Sequence, residues 1–116
     1  MQQEPEKLYD TFLNVYKADF NEETGSKYAI CTNICKWLID NHFPNAKIVG
    51  YYCDENPTAI VGEAEGGHDF LLIDDTYIID FWYKTFYDQS TPAIIKASDQ
   101  TVYGDKSTWT EVYLIN

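Results

Sequence analysis

The apolar residues of this chain change their spacing near residue 45, and that change limits the folds open to it. Before it they recur every three or four positions: Leu8, Phe12, Val15 and Tyr16 in one segment, then Ala29, Cys31, Ile34, Cys35, Leu38 and Ile39 in a second. Such spacing lines up side chains on one face of an α-helix. After it the chain breaks into short runs rich in β-branched and aromatic residues, separated by polar turns, which is the pattern of strands. Two helices followed by a run of strands predict an α+β fold with the N-terminal helices packed on a mainly antiparallel sheet.

The first helix is expected over residues 4–19, with Pro5 in its first turn, where a missing N–H is harmless. Residues 20–26 contain Asn21, Thr24, Gly25 and Ser26 and read as a loop. A second helix is expected over 27–42, capped by Ser26 and ended at Phe43-Pro44-Asn45, because the residue before a proline avoids helical backbone angles. Strands are expected over 46–53, 59–61, 68–73, 77–82, 93–96 and 111–115. Residues 54–58 read as a turn and 62–67 as an acidic, glycine-containing loop, while 83–91 shows no clear period.

Of the 116 residues, 45% are hydrophobic and 16% aromatic, enough for one core, so a single domain over residues 1–116 is expected. No run approaches the roughly 18 apolar residues a membrane span needs. The first seven residues lack the basic start and apolar core of a secretory signal. Three cysteines cannot all pair within the chain and suit a reducing, cytoplasmic setting. Eight basic residues against 19 acidic ones give a formal charge of −11. That surface repels phosphate backbones and argues against nucleic acid, whereas a basic peptide or protein would be attracted. A solvated acidic surface with no partner is the plainer reading of the charge.

Asp80 is the most unusual residue in its setting, because it lies between Ile78-Ile79 and Phe81-Trp82. A carboxylate buried there needs a donor. His68, at the start of the preceding expected strand, is a good candidate, and the turn length decides whether the two meet. With a two-residue turn, Asp74-Asp75, His68 faces Phe81 and Asp80 points to the other side. With a three-residue turn, Asp74-Asp75-Thr76, Phe70 sits opposite Asp80, and His68 and Asp80 share a face as diagonal neighbours roughly 7–8 Å apart at Cα. A site joining them therefore requires an odd loop or a bulge.

A third residue completes a constellation. Thiol catalysis needs a sulfur, a proton carrier beside it and a group that orients the carrier. Cys31 falls near the start of the second helix, where the helix field favours an anion. Cys35 lies one turn further on and feels less of that field, and Cys53 falls at a strand end. Taken one by one these residues have plainer explanations: a small core residue for Cys31 and a solvated strand end for His68. Cys31, Cys35 and His68 could also hold zinc with a carboxylate, but structural zinc sites favour closely spaced pairs on turns, and no second pair exists. Asp74 and Asp75 read as a polar turn, His42 as a cation at a helix end, and Trp37, Trp82 and Trp109 as core and rim. Gly62, Gly66 and Gly67 do not match a phosphate-binding loop.

The order and setting of these residues resemble the papain-like, transglutaminase-like superfamily, and more closely the papain-fold domains of bacterial polymorphic toxins. The residues carrying the resemblance are Tyr28-Ala29-Ile30-Cys31-Thr32-Asn33-Ile34-Cys35-Lys36-Trp37-Leu38, then Gly66-Gly67-His68, then Tyr77-Ile78-Ile79-Asp80, across residues 28–82. The resemblance implies a papain-like fold with Cys31 as nucleophile, His68 as general base and acid, and Asp80 as the orienting carboxylate. It implies attack on an amide or thioester carbonyl of a peptide or protein, ending in hydrolysis, deamidation or acyl transfer, without a metal or cofactor. The chain departs from the pattern in having no glutamine or asparagine shortly before Cys31. The oxyanion donors expected instead are the Cys31 N–H with Tyr28 or Ser26. A second expectation is a catalytically silent, acidic binding or immunity-type module on the same fold.

Overall fold

A computed structural model describes residues 4–56, 59–60 and 67–113 of the chain. The first helix, α1 (Pro5–Asp19), buries Leu8, Tyr9 and Phe12, a stripe of three-to-four spacing. The expected second helix is divided. Lys27–Ala29 form a single 3₁₀ turn, Ile30 is extended at φ −98° and ψ 127°, and α2 runs from Cys31 to Asn41. Ser26 accepts the Tyr28 N–H and so caps the short turn rather than α2. Its hydroxyl also donates to Asp19, whose carboxylate accepts the Lys27 N–H as well. That Asp19 link ties the end of α1 to the approach to α2 and makes Cys31 the first residue of its helix.

The strands are β1 (Lys47–Tyr52), β2 (Gly67–Ile73), β3 (Tyr77–Ile79), β4 (Ile95–Lys96) and β5 (Thr110–Val112). Among the described residues they form one sheet in the order β4-β3-β2-β1-β5, with every neighbouring pair antiparallel. The fold is therefore α+β. The β2–β3 loop has three residues, closed by the Ile73 and Tyr77 pair. Asp74 and Asp75 both take φ 53°, a left-handed conformation aspartate tolerates better than most residues, and the Thr76 N–H returns to the Ile73 carbonyl at 3.0 Å.

Both faces of the sheet are covered, which is why β2 reads as a continuous apolar run, Phe70-Leu71-Leu72-Ile73. Ile48, Leu71, Ile73 and Ile79 pack with Leu8, Phe12, Ile34 and Leu38 of α1 and α2. Val49, Tyr51, Phe70, Leu72 and Ile78 pack on the other side with Tyr83, Ala97 and Tyr103.

Several expected strands are shorter than the sequence suggests. The segment expected to run to Trp82 stops at Ile79, and Phe81–Phe86 form a helix, α3, capped by Asp80. The chain leaves the sheet here because the Asp80 carboxylate accepts the Tyr83 N–H, an N-cap bond that starts a helix. Residues 93–94 are not part of β4, and Ala59 and Ile60 form no strand. Val61, residues 62–66 of the expected loop and residues 114–115 of the last expected strand lie outside the described residues. A short helix, α4 (Gln100–Tyr103), and a 3₁₀ turn at Lys106–Thr108 occupy a stretch whose sequence shows no clear period. Among the described residues no helix is long and apolar enough to cross a membrane.

Candidate active site

Asp80 is held by three donors. His68 Nε2 donates to Oδ2 at 2.5 Å, the Tyr103 hydroxyl donates to the same oxygen at 2.7 Å, and the Tyr83 N–H reaches Oδ1 at 3.0 Å. The His68 and Asp80 side chains are 2% and 4% exposed. This saturation makes burial of the carboxylate tolerable. Tyr103 is itself fixed from behind, because its carbonyl accepts Asn56 Nδ2 at 2.7 Å and Trp109 Nε1 at 3.0 Å. Its ring lies 4.4 Å from that of Phe70.

The His68 ring stacks on Tyr103 and Phe70 and meets Trp82 at 5.0 Å. Burial pulls its pKa down, and against that the Asp80 charge, the Asp80 hydrogen bond and the Cys31 side chain push it up, to about 10. The imidazolium therefore dominates at neutral pH. With Nε2 on Asp80, Nδ1 is the nitrogen left free of the carboxylate, and the Cys31 side chain is near enough to the ring to help push its pKa up.

Strand parity alone separates these two residues. His68 sits on the Phe70 and Tyr103 side of β2, whereas α2 packs on the Leu71 side. β3 pairs with β2 only as far as Leu71 and Ile79, so His68 lies beyond the last β3 partner, and it shares with Cys31 a cleft lined by β1 and β5. Trp82 Nε1 donates to the Ala29 carbonyl at 2.8 Å, which holds the backbone just before Cys31.

Cys31 is partly exposed and Cys35 is 3% exposed, and both are free thiols. Burial first, then the charges of Asp80, Cys31 and Asp69, push the Cys35 thiol well up, which suits a core residue and not a nucleophile. Cys31 and His68 open onto a cleft of about 590 Å³. Its walls are the start of α2, residues 50–52 of β1, the first residues of β2, and Thr110 and Val112 of β5.

Neither residue expected to complete an oxyanion hole lines this cleft. The Ser26 hydroxyl is engaged by Asp19 and the Tyr28 N–H, and Tyr28 lines a different depression, with Lys36 and Trp37. The first α-helical hydrogen bond of α2 runs from the Ile34 N–H to the Ile30 carbonyl. The N–H groups of Cys31, Thr32 and Asn33 thus have no partner within the helix. Among the described residues no group of three or more His, Cys, Asp or Glu side chains is arranged to hold a metal.

Tyr103, Trp82, Thr32, Asp69 and Gly50 belong to the site or its support without having been picked out as such in the sequence. Asp69 follows His68 on β2 and so faces the other side of the strand, and Tyr103 carries no local sequence signal. No family model, curated protein or solved structure matches this chain.

Proposed function

We propose that this chain is a cysteine-dependent enzyme acting at an amide or thioester carbonyl, on a papain-like variant of the α+β architecture. Cys31 is the nucleophile, His68 the proton carrier and Asp80 the carboxylate that orients it. The observation carrying this reading is that His68, bound to Asp80, lines one cleft with Cys31, whose side chain helps to raise the ring's pKa. The cleft volume lies within the usual range for small-molecule and peptide side-chain sites.

In the attacking form of the pair the sulfur has lost its proton and the ring is the imidazolium. The sulfur attacks the carbonyl carbon, and the electron pair moves onto the oxygen, beside the N–H groups at the start of α2. His68 Nδ1 then gives its proton to the leaving nitrogen as the C–N bond breaks, leaving an acyl-thioester on Cys31. His68, now neutral, takes a proton from water or an incoming amine, which attacks the thioester and returns the thiol. Hydrolysis, deamidation and acyl transfer differ only in which amide is attacked and which nucleophile arrives. Asp80 keeps Nε2 protonated throughout.

Two measurements test this together. Alkylation by iodoacetamide, read residue by residue by mass spectrometry, is expected to modify native Cys31 at least about tenfold faster than Cys31 of the His68→Ala variant. Turnover of a peptide thioester or amide panel is expected to vanish in Cys31→Ala and to fall about 10²–10⁴-fold in His68→Ala. Slow alkylation, equal in the two proteins, would overturn the reading. The charge of −11 supports a second reading, a non-catalytic acidic module that binds a basic partner. It predicts salt-sensitive capture of that partner that Cys31→Ala leaves unchanged.

A further inference from the structure

Asp69 stands in the cleft beside the nucleophile and takes no part in the proton-transfer line. It follows His68 on β2 and points to the α2 side, and both it and Cys31 line the cleft. The hydroxyl of Thr32, the residue after Cys31, donates to its Oδ2 at 2.8 Å. Its Oδ1 is turned across β1, onto Gly50, its partner in the ladder. A Cβ at position 50 would stand 2.1 Å from that oxygen and 2.8 Å from the His68 carbonyl oxygen. Glycine weakens a strand interior and contributes nothing to packing. Here it makes room for a carboxylate.

Anchoring α2 to β2 does not account for the charge. A neutral acceptor at position 69 would take the Thr32 hydrogen bond equally well, without placing an anion in a partly enclosed cleft. Among the described residues no donor reaches Oδ1, and no lysine lines the cleft. An unneutralised carboxylate there also opposes the negative charge that catalysis needs, first on sulfur and then on the carbonyl oxygen. A cation carried in by the substrate removes that penalty and fills the empty side of the carboxylate.

We infer that Asp69 selects substrates bearing an ammonium or guanidinium group next to the carbonyl presented to Cys31. This rests on the catalytic reading above and assigns its substrate class. A lysine or arginine side chain and a free amino group share the chemistry, and peptides differing only in that group separate them. Neutral and acidic substrates meet the carboxylate without compensation and react slowly.

The test uses one warhead with two charges. Cys31 of the full chain is modified by aminoethyl (cationic) and sulfonatoethyl (anionic) methanethiosulfonate, and the ratio of the two rates is compared among the native protein, Asp69→Asn and Glu22→Gln. The amide retains an acceptor for Thr32, and Glu22 is exposed and does not line the cleft, so its variant reports the loss of one unit of net charge. The cation-to-anion ratio is expected to fall roughly tenfold in Asp69→Asn and less than twofold in Glu22→Gln. Should Asp69→Asn fold poorly, Asp69→Ser serves in its place. A ratio that Asp69→Asn leaves within twofold of native, on a Cys31 that reacts rapidly, overturns the charge selection and spares the catalytic reading. A Cys31 that reacts with neither reagent faster than an unfolded thiol overturns both.

Discussion

At the scale of single residues the site is governed by one buried ion pair. Oδ2 of Asp80 takes two donors and Oδ1 a third, so nearly all of its accepting capacity is used inside the protein. The linkage to pH follows from His68. Its ring titrates near 6.5 when unfolded and about 10 when folded, because the Asp80 charge and hydrogen bond outweigh burial. The folded state therefore holds the proton more tightly. The stabilisation is complete below pH 6.5 and is lost as the pH rises towards 10. Cys35 adds a loss of its own only above its ordinary value of 9.0, so pH 6.5–9 isolates the ring. The urea midpoint of the native protein is expected to fall across that window, and to fall less in Asp80→Asn, where the Cys31 side chain is left to oppose the effect of burial on the ring. A native midpoint that stays level would show that the pair does not control the ring.

At the scale of elements, what matters is where strands and helices stop. β3 ends after Ile79, where Asp80 caps α3, so His68 lies beyond the last β3 partner of β2. The helical run of the sequence is interrupted at Ile30, so that Cys31 begins α2 with its N–H outside the helical ladder. The close approach of β1 to Asp69 belongs to this scale too. Gly50→Ala puts a methyl 2.8 Å from the His68 carbonyl oxygen, a backbone atom that cannot swing aside as a side chain can. We expect a loss of about 1–3 kcal/mol in urea unfolding, together with slower Cys31 alkylation as the Asp69 carboxylate is displaced. A variant as stable as the native protein would mean that β1 and β2 shift to absorb the methyl.

At the scale of the whole molecule, a sheet covered on both faces leaves a cleft where the first residue of α2 meets residues of β1, β2 and β5. Surface ion pairs do little to offset the charge of −11. Lys47 lies 3.9 Å from both Asp75 and Glu111, long and exposed contacts, and Lys36 with Asp40 is an exposed pair one turn apart. The surplus of acids makes self-repulsion the larger electrostatic effect. Raising sodium chloride from about 0.01 to 0.15 M, which shortens the screening length from about 30 to 8 Å, is expected to raise the melting temperature. A melting temperature that falls over that range would mean that attractive pairs dominate instead.

The amino-acid sequence by itself determined the features that depend on neighbours along the chain. Apolar spacing marked α1, α2 and the run of strands, and side-chain alternation with an odd loop put His68 and Asp80 within reach of each other. An aspartate inside an apolar run announced that it needed a partner, because desolvation of a carboxylate has one sign wherever it occurs. Only the tertiary structure decided the rest. Cys31 and His68, from segments far apart in sequence, line one cleft, and that depends on how α2 lies against β2. Tyr103 on Asp80, Trp82 on the Ala29 carbonyl, and Asp69 between Thr32 and Gly50 join segments distant in sequence. Such contacts leave no periodic trace, since each residue answers to a surface that exists only once the others have folded.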